Sequence, residues 1–220
     1  MPGFIIVLIF VVGAIAWGIY AGKKRRDAMG ELATTLGLTF SGERNYQMAE
    51  RYAFLDKLRQ GSNRYAQNII TGDFRGHGIT TFDYHYETHS TDSKGHRRTH
   101  HHHFSFFILT LKRRFPELTI AKEGLFSKIA QAVGFDDIDF ESHEFSKKFV
   151  VRSKDKKFAY DFCNAQMIDY LLGHSDINIE VDQNSLALAF NRRLKTEEIE
   201  AHLNQLLKIR SLMPDYLFAD

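Results

Sequence analysis

The sequence predicts an α+β protein in which one N-terminal transmembrane helix precedes a soluble domain of antiparallel sheet with packed helices. Three observations lead there. The first 22 residues contain no Asp, Glu, Lys or Arg. From Arg64 to Leu111, extended runs with strand character are broken by glycines, the pattern of strands joined in hairpins. Beyond residue 125, groups at helical spacing separate further short strand-like runs, and hairpin strands with inserted helices give an α+β layout. Composition agrees with a folded chain: of 220 residues, 44% are hydrophobic and 25% charged, which excludes a disordered tail or a many-span membrane protein. A single Cys excludes an intramolecular disulfide framework and a Cys-based zinc ribbon, and 3 Pro leave no Pro-rich linker.

The first element is the apolar run from Gly3 to Gly22, whose 20 residues span about 30 Å as a helix, the thickness of a bilayer's hydrocarbon layer. Trp17 and Tyr20 stand near its end, and Lys23, Lys24, Arg25 and Arg26 follow directly. This order predicts a single-pass anchor at residues 1–22, with the four cations contacting lipid head groups. The positive-inside rule then puts the N-terminus outside and the remainder in the cytoplasm, at the inner membrane. A cleaved signal is the competing reading at Ala14-Ile15-Ala16, but the start lacks a basic n-region and the apolar run continues past that point. Residues 23–37 form a basic juxtamembrane segment and amphipathic stalk, with Ala28, Met29, Leu32, Ala33 and Leu36 at helical spacing. From residue 28 onward 25 basic residues face 26 acidic ones, a balance without the positive field that non-specific nucleic-acid binding needs.

The soluble domain covers 38–220. Leu38 to Phe40 reads as extended, and residues 43–60 as a loop with a helix at Gln47 to Tyr52. Tyr65 to Phe74 and Ile79 to His89 are strands joined by a turn at Arg75-Gly76-His77-Gly78. In the second strand Phe82, Tyr84 and Tyr86 share one face while Asp83, His85, Glu87 and His89 share the other. Ser90 to Thr99 reads as an exposed loop, His101 to Leu111 as a central strand apolar on both faces, and Leu118 to Ala121 as a short strand after Pro116. A helix through Leu125, Ile129 and Val133 ends at Gly134, a short strand follows at Ile138 to Phe140, and Phe149 to Arg152 extend again. Phe158 to Leu172 is a helix, Ile177 to Val181 and Leu186 to Phe190 a hairpin, and Thr196 caps a last helix to about Ser211 without a reciprocal capping box.

The chemistry concentrates in one place. His96-Arg97-Arg98-Thr99-His100-His101-His102-His103 follows closely on His85, Glu87 and His89. If the strand ending at His89 pairs with the one starting at His101, then His85, Glu87, His89, His101 and His103 become neighbours on one face. Imidazole and carboxylate at a strand spacing of about 4.8 Å suit zinc or another transition metal. The competing readings are a solvated hairpin end with no ligand, and a patch that gains charge on acidification beside Arg97 and Arg98. Elsewhere, His143-Glu144-Phe145-Ser146-Lys147 has Lys where a zincin helix needs its second His. Gly76 and Gly78 lack the third glycine and following helix of a dinucleotide loop. Asp136, Asp137, Asp139 and Glu141 lack the Gly and Glu of a calcium loop, and Cys163 lies on an apolar helix face as a structural thiol.

Several segments taken together, the KKRRD that follows the apolar run, NIITGDFRGHGITTFDYHYETHS, GHRRTHHHH and DIDFESHEFSKKFVVRSKDKKFAYDF, resemble a family of bacterial single-span membrane-anchored proteins of unknown function. The resemblance covers about Leu38 to Leu217 and implies no catalytic residues. The run of four histidines departs from that family's usual loop. With no nucleophile–base pair or phosphate cradle in sight, the expectation is a membrane-anchored cytoplasmic interaction or assembly module without catalytic activity, partnered by the bilayer and another protein but not by nucleic acid. The alternative is a zinc-type metal-binding domain, acting as a sensor or a hydrolase through the histidine-rich hairpin.

Overall fold

The computed structural model describes residues 2–122, 137–174 and 176–219, with side chains of the first helix described at position 7 and from 9 onward. Arg97 to Lys122 form one 26-residue strand, β4, where the sequence suggests two. Pro116 sits inside the second of two register irregularities of this strand, where a missing ladder donor is tolerated. Phe104, Phe106 and Ile108 of β4 lie in one apolar layer, Phe107, Leu109 and Leu111 in the other, and all six are buried. That two-sided burial makes β4 the spine of the sheet. Strand β3 (His77–Thr91) pairs with residues 97–109 of β4, and β5 (Phe149–Ser153) pairs farther along the same edge. Strand β6 (Asn178–Ala189) takes the opposite edge. On the far side of β3, β2 (Ser62–Phe74) and β1 (Thr39–Ser41) complete six antiparallel strands.

The β2–β3 hairpin closes through Arg75 and Gly76, whose φ angles of 55° and 82° give the primed turn that suits the sheet's twist. Asp73 Oδ1 accepts the Gly76 N–H at 2.8 Å. The expected loop at 90–99 is shorter: β3 and β4 continue to a tight turn in which Asp92 Oδ1 accepts the N–H groups of Lys94 and His96, both at 2.9 Å. On one face of the sheet, Met29 and Ala33 of helix α1 (Pro2–Thr35) and Ile199, Leu203, Leu206 and Ile209 of α6 (Thr196–Leu212) pack onto Phe107, Leu109 and Leu188. The other face is covered by α2 (Gln47–Arg51) and a 3-10 turn at Asp56–Arg59, which bring Met48, Leu55 and Leu58 onto Phe82, Tyr84 and Phe106.

Several local expectations change. Residues 158–172 do not form one helix but two, because Asn164 leaves helical geometry and caps the second: α4 (Lys156–Phe162) ends before Cys163, and Asn164 Oδ1 accepts the Met167 N–H opening α5 (Ala165–Gly173). Residues 177–190 form no hairpin, since β4 is long enough to pair with the whole of β6, and the mismatch is absorbed by extra residues of β4 on either side of Phe115, which faces Gln183 at φ 50°. Ile138 to Phe140 is not a strand and makes only an isolated bridge at Asp137 to Arg152, ahead of α3 (His143–Lys148). The N-cap of α6 is Lys195 in place of Thr196, and Glu198 takes its backbone N–H at 2.6 Å. The helix expected at 125–134 lies outside the described residues.

The larger correction concerns the N-terminal segment. Among the described residues no helix is long and apolar enough to cross a membrane. Helix α1 begins in the apolar run. The same helix then enters the charged residues 23–27 and packs into the domain. The antiparallel sheet and packed helices stand as α+β, but the transmembrane helix, the single-pass anchoring and the N-out inner-membrane localisation are not supported.

Helix α1 meets the sheet through an ion pair. Arg25 Nε and Nη2 donate to the two carboxylate oxygens of Asp83, each at 2.6 Å, and Asp83 is 2% exposed. Asn68 Nδ2 donates to the same carboxylate at 2.9 Å and Ser105 Oγ at 3.3 Å, so the charge is met from three elements. Removing one partner of a buried pair leaves an uncompensated charge. Arg25→Met is expected to destabilise the fold by about 3 kcal/mol or more, with the double variant R25M/D83L recovering part of the loss in denaturant unfolding. An unchanged midpoint in R25M would refute the assignment.

On the opposite face Glu180 is buried beneath the 3-10 turn, where the Lys57 N–H donates to its carboxylate oxygens at 3.1 and 3.3 Å. Burial pushes its carboxyl up to about 8. A carboxyl raised in the folded state keeps a proton that the unfolded chain has released, so this stabilisation is full at low pH and fades as pH rises from the ordinary carboxylate range through about 8. Unfolding free energies measured between about pH 5 and pH 8 are expected to decline more steeply for the wild-type chain than for Glu180→Gln. Parallel profiles would show that Glu180 is ionised throughout.

Candidate functional site

The site is built where β2 begins, beside the far ends of β3 and β4. The register places His85 opposite His103, Glu87 opposite His101, and His89 opposite Thr99. Strand alternation therefore brings the predicted residues onto one face, next to the strand position of Asp83. The side chains that converge are three. His85 Nε2 lies 3.2 Å from His101 Nδ1, and His101 Nδ1 lies 3.4 Å from Glu87 Oε1. The ligand atoms of His85, Glu87 and His101 all fall within 4.8 Å of one another.

Asn63 orients two of the three. It has φ 47° at a register shift between Ser62 and Tyr65, and this bulge turns both its carbonyl and its side chain toward β3. The Asn63 carbonyl accepts from His85 Nδ1 at 3.0 Å, which leaves the Nε2 lone pair directed at His101. Asn63 Nδ2 donates to Glu87 Oε1 at 2.6 Å. The Tyr65 ring stacks on His85 at 4.5 Å between centroids, and Arg44 lies over Tyr65 at 4.6 Å. Gly61, at φ +64°, permits the approach of β2, since a Cβ there would stand 2.2 Å from the Glu87 carbonyl oxygen.

The electrostatics follow from this geometry. Burial lowers the His85 imidazole from its ordinary value, while the Asn63 hydrogen bond holds the Glu87 carboxyl below its own. At neutral pH the pair is therefore a neutral imidazole beside a carboxylate, the protonation states that ligate metal. His103, with its ring 4.8 Å from that of His85, is pushed down to about 4, mainly by desolvation of the ring and then by the neighbouring His85 and Arg193.

The other predicted residues go elsewhere. His89 is held by Ser62 Oγ at 3.2 Å and Thr99 Oγ1 at 3.1 Å, away from the cluster. His103 flanks the cluster without joining its ligand set. His100 bonds Ser90 Oγ at 2.8 Å and His102 stacks on Tyr86 at 4.5 Å, on the other side of the sheet. Of the four cations expected at lipid head groups, Arg25 is turned inward onto Asp83, while Lys23, Lys24 and Arg26 are exposed. Sequence reasoning missed Asn63, Gly61 and Tyr65, and the Gly-Ser-Asn run at 61–63 was the one available sign of irregular backbone there.

Because Gly61 is both left-handed and tightly enclosed, Gly61→Ala is expected to lose more than about 1 kcal/mol of stability. The His85 imidazole resonances in a proton–nitrogen spectrum are expected to move as the Asn63 carbonyl withdraws. A variant with wild-type stability and an unchanged His85 tautomer would contradict this placement.

No family model matches the chain, and no curated protein matches it. Among solved structures it is similar to the crystal structure of the mycobacterial trehalose monomycolate transport factor A, at 13% sequence identity and a TM-score of 0.63, over 87% of this chain and 95% of that one. Of the resemblance to single-span bacterial proteins, only likeness to a bacterial protein is supported; the single-span family is not shown, and at this identity the likeness is one of fold.

Proposed function

We propose that this chain is a non-catalytic accessory factor that acts by binding another protein through the N-terminal half of α1. One observation carries the reading. Beyond the point where Arg25 pins it to Asp83, the helix presents Ile9, Phe10, Val11, Val12, Ile15, Trp17, Ile19 and Tyr20 to solvent, with Phe10 76% exposed and Trp17 71%. An apolar helical surface of this extent marks an interaction site, since burying it releases about 25 cal/mol per Å². Exposed Lys23, Lys24 and Arg26 border it. The complementary partner is therefore an apolar protein surface edged with acidic side chains. The likeness in fold to a transport factor supports an accessory role of this kind.

The test places a photo-reactive amino acid at Trp17 in the full chain inside living cells, with the exposed Tyr160 as control position. The expected result is a protein adduct of one discrete mass from position 17, absent from position 160 and weakened by K23E/K24E. Adducts with lipid alone, or the same products from both positions, would overturn the proposal.

A further inference from the structure

We infer that His85, Glu87 and His101 form a binding site for one divalent transition-metal ion of the zinc class, at the corner where β2 meets the β3–β4 hairpin. Ligands about 2.0 to 2.1 Å from a tetrahedral ion stand about 3.4 Å from one another. The two measured edges, 3.2 Å from His85 Nε2 to His101 Nδ1 and 3.4 Å from His101 Nδ1 to Glu87 Oε1, have that length. The third edge, between His85 and Glu87, falls within 4.8 Å, so the three ligand atoms can close on one ion with a small rotamer adjustment.

The surroundings are those of a ligand set. A metal-binding histidine commonly gives its second ring N–H to a carbonyl, which fixes its tautomer, and His85 does so to Asn63. The carboxylate is itself hydrogen-bonded, to the side chain of the same asparagine. His85 is buried and stacked, so one ligand is rigid, while the side chain of His101 is 58% exposed and gives an ion a way in. Arg44 stands across the Tyr65 ring and Arg193 acts on the flanking His103, whereas Glu87 lies inside the set and opposes both. Two nitrogens and one oxygen select zinc, nickel, copper or cobalt over magnesium or calcium, which prefer all-oxygen shells. With three protein ligands a fourth position remains for water or for the flanking His103. The inference is independent of the docking of α1.

Zinc titration of the full chain against a chromogenic chelator tests it, with cobalt(II) absorption as the second measurement. The expected result is one equivalent of zinc per chain, and intense visible cobalt bands of near-tetrahedral symmetry. His101→Ala and Glu87→Gln each weaken binding at least about tenfold, while His89→Ala and His100→Ala leave it unchanged. Zinc also raises the unfolding midpoint of the wild-type chain but not that of His101→Ala. Because His101 and Glu87 lie at the surface edge of the sheet, their variants are compared only after their circular dichroism matches the parent. Zinc bound equally by His101→Ala, magnesium competing on equal terms, or no stoichiometric binding would each overturn the site.

Discussion

The bidentate contact of Arg25 with Asp83 joins the two parts of this molecule. Asp83 sits mid-strand in β3, 2% exposed, in a position where an unpaired carboxylate would destabilise the sheet. Arg25 sits in α1, one turn before Met29 enters the core. The pair thus fixes both the azimuth of the helix and the depth at which its apolar residues seat. With Met29 and Ala33 buried behind it and every described side chain from Ile9 to Lys24 exposed ahead of it, the contact divides one continuous helix into a packed half and a presented half. Guanidinium suits the task better than ammonium, because its planar fork meets both carboxylate oxygens at once.

Left-handed residues at bulges do the fine positioning. Asn68, at φ 51°, lies in a register shift of β2 and directs its amide to Asp83. Asn63 repeats the device five residues upstream, directing carbonyl and amide to His85 and Glu87. In a regular strand these side chains would alternate strictly and the amides would reach neither target. Asparagine tolerates the left-handed region at modest cost and carries the hydrogen-bonding group needed there. The two bulges serve the helix latch and the histidine corner, which lie two residues apart along β3.

The two faces of the sheet divide the chemistry. One carries the large core shared with α1 and α6, then Asp83, then the cluster of His85, Glu87 and His101. The other carries Phe82, Tyr84 and Phe106 under a thin cover, with Glu180 enclosed beneath the 3-10 turn and its proton held by burial. The Tyr84 hydroxyl bonds the Leu58 carbonyl at 2.7 Å, so even this cover is hydrogen-bonded to the sheet.

Strand periodicity and turn chemistry determined the faces on which Phe82 and His85 lie and the turn at Arg75-Gly76, because both are local properties, whereas the pairing and register of the histidine-bearing strands were a condition that the structure met. Helical spacing likewise disclosed that Met29 and Ala33 share a buried stripe. Which of five neighbouring ligands converge was not local: rotamers, the bulge at Asn63 and the approach of β2 at Gly61 selected His85, Glu87 and His101 and sent His89 to Ser62 and Thr99. The role of Arg25 was equally hidden, since a basic run after an apolar stretch reads as a membrane signature until a carboxylate 58 residues away claims one of its members. The union of two strands into β4 and the single span of β6 also needed the partner strand, because a strand's length is set by what it pairs with. Sequence determined the repeating contacts between near neighbours; only the tertiary structure decided the contacts between distant residues, since burial and charge pairing depend on what the rest of the chain brings alongside.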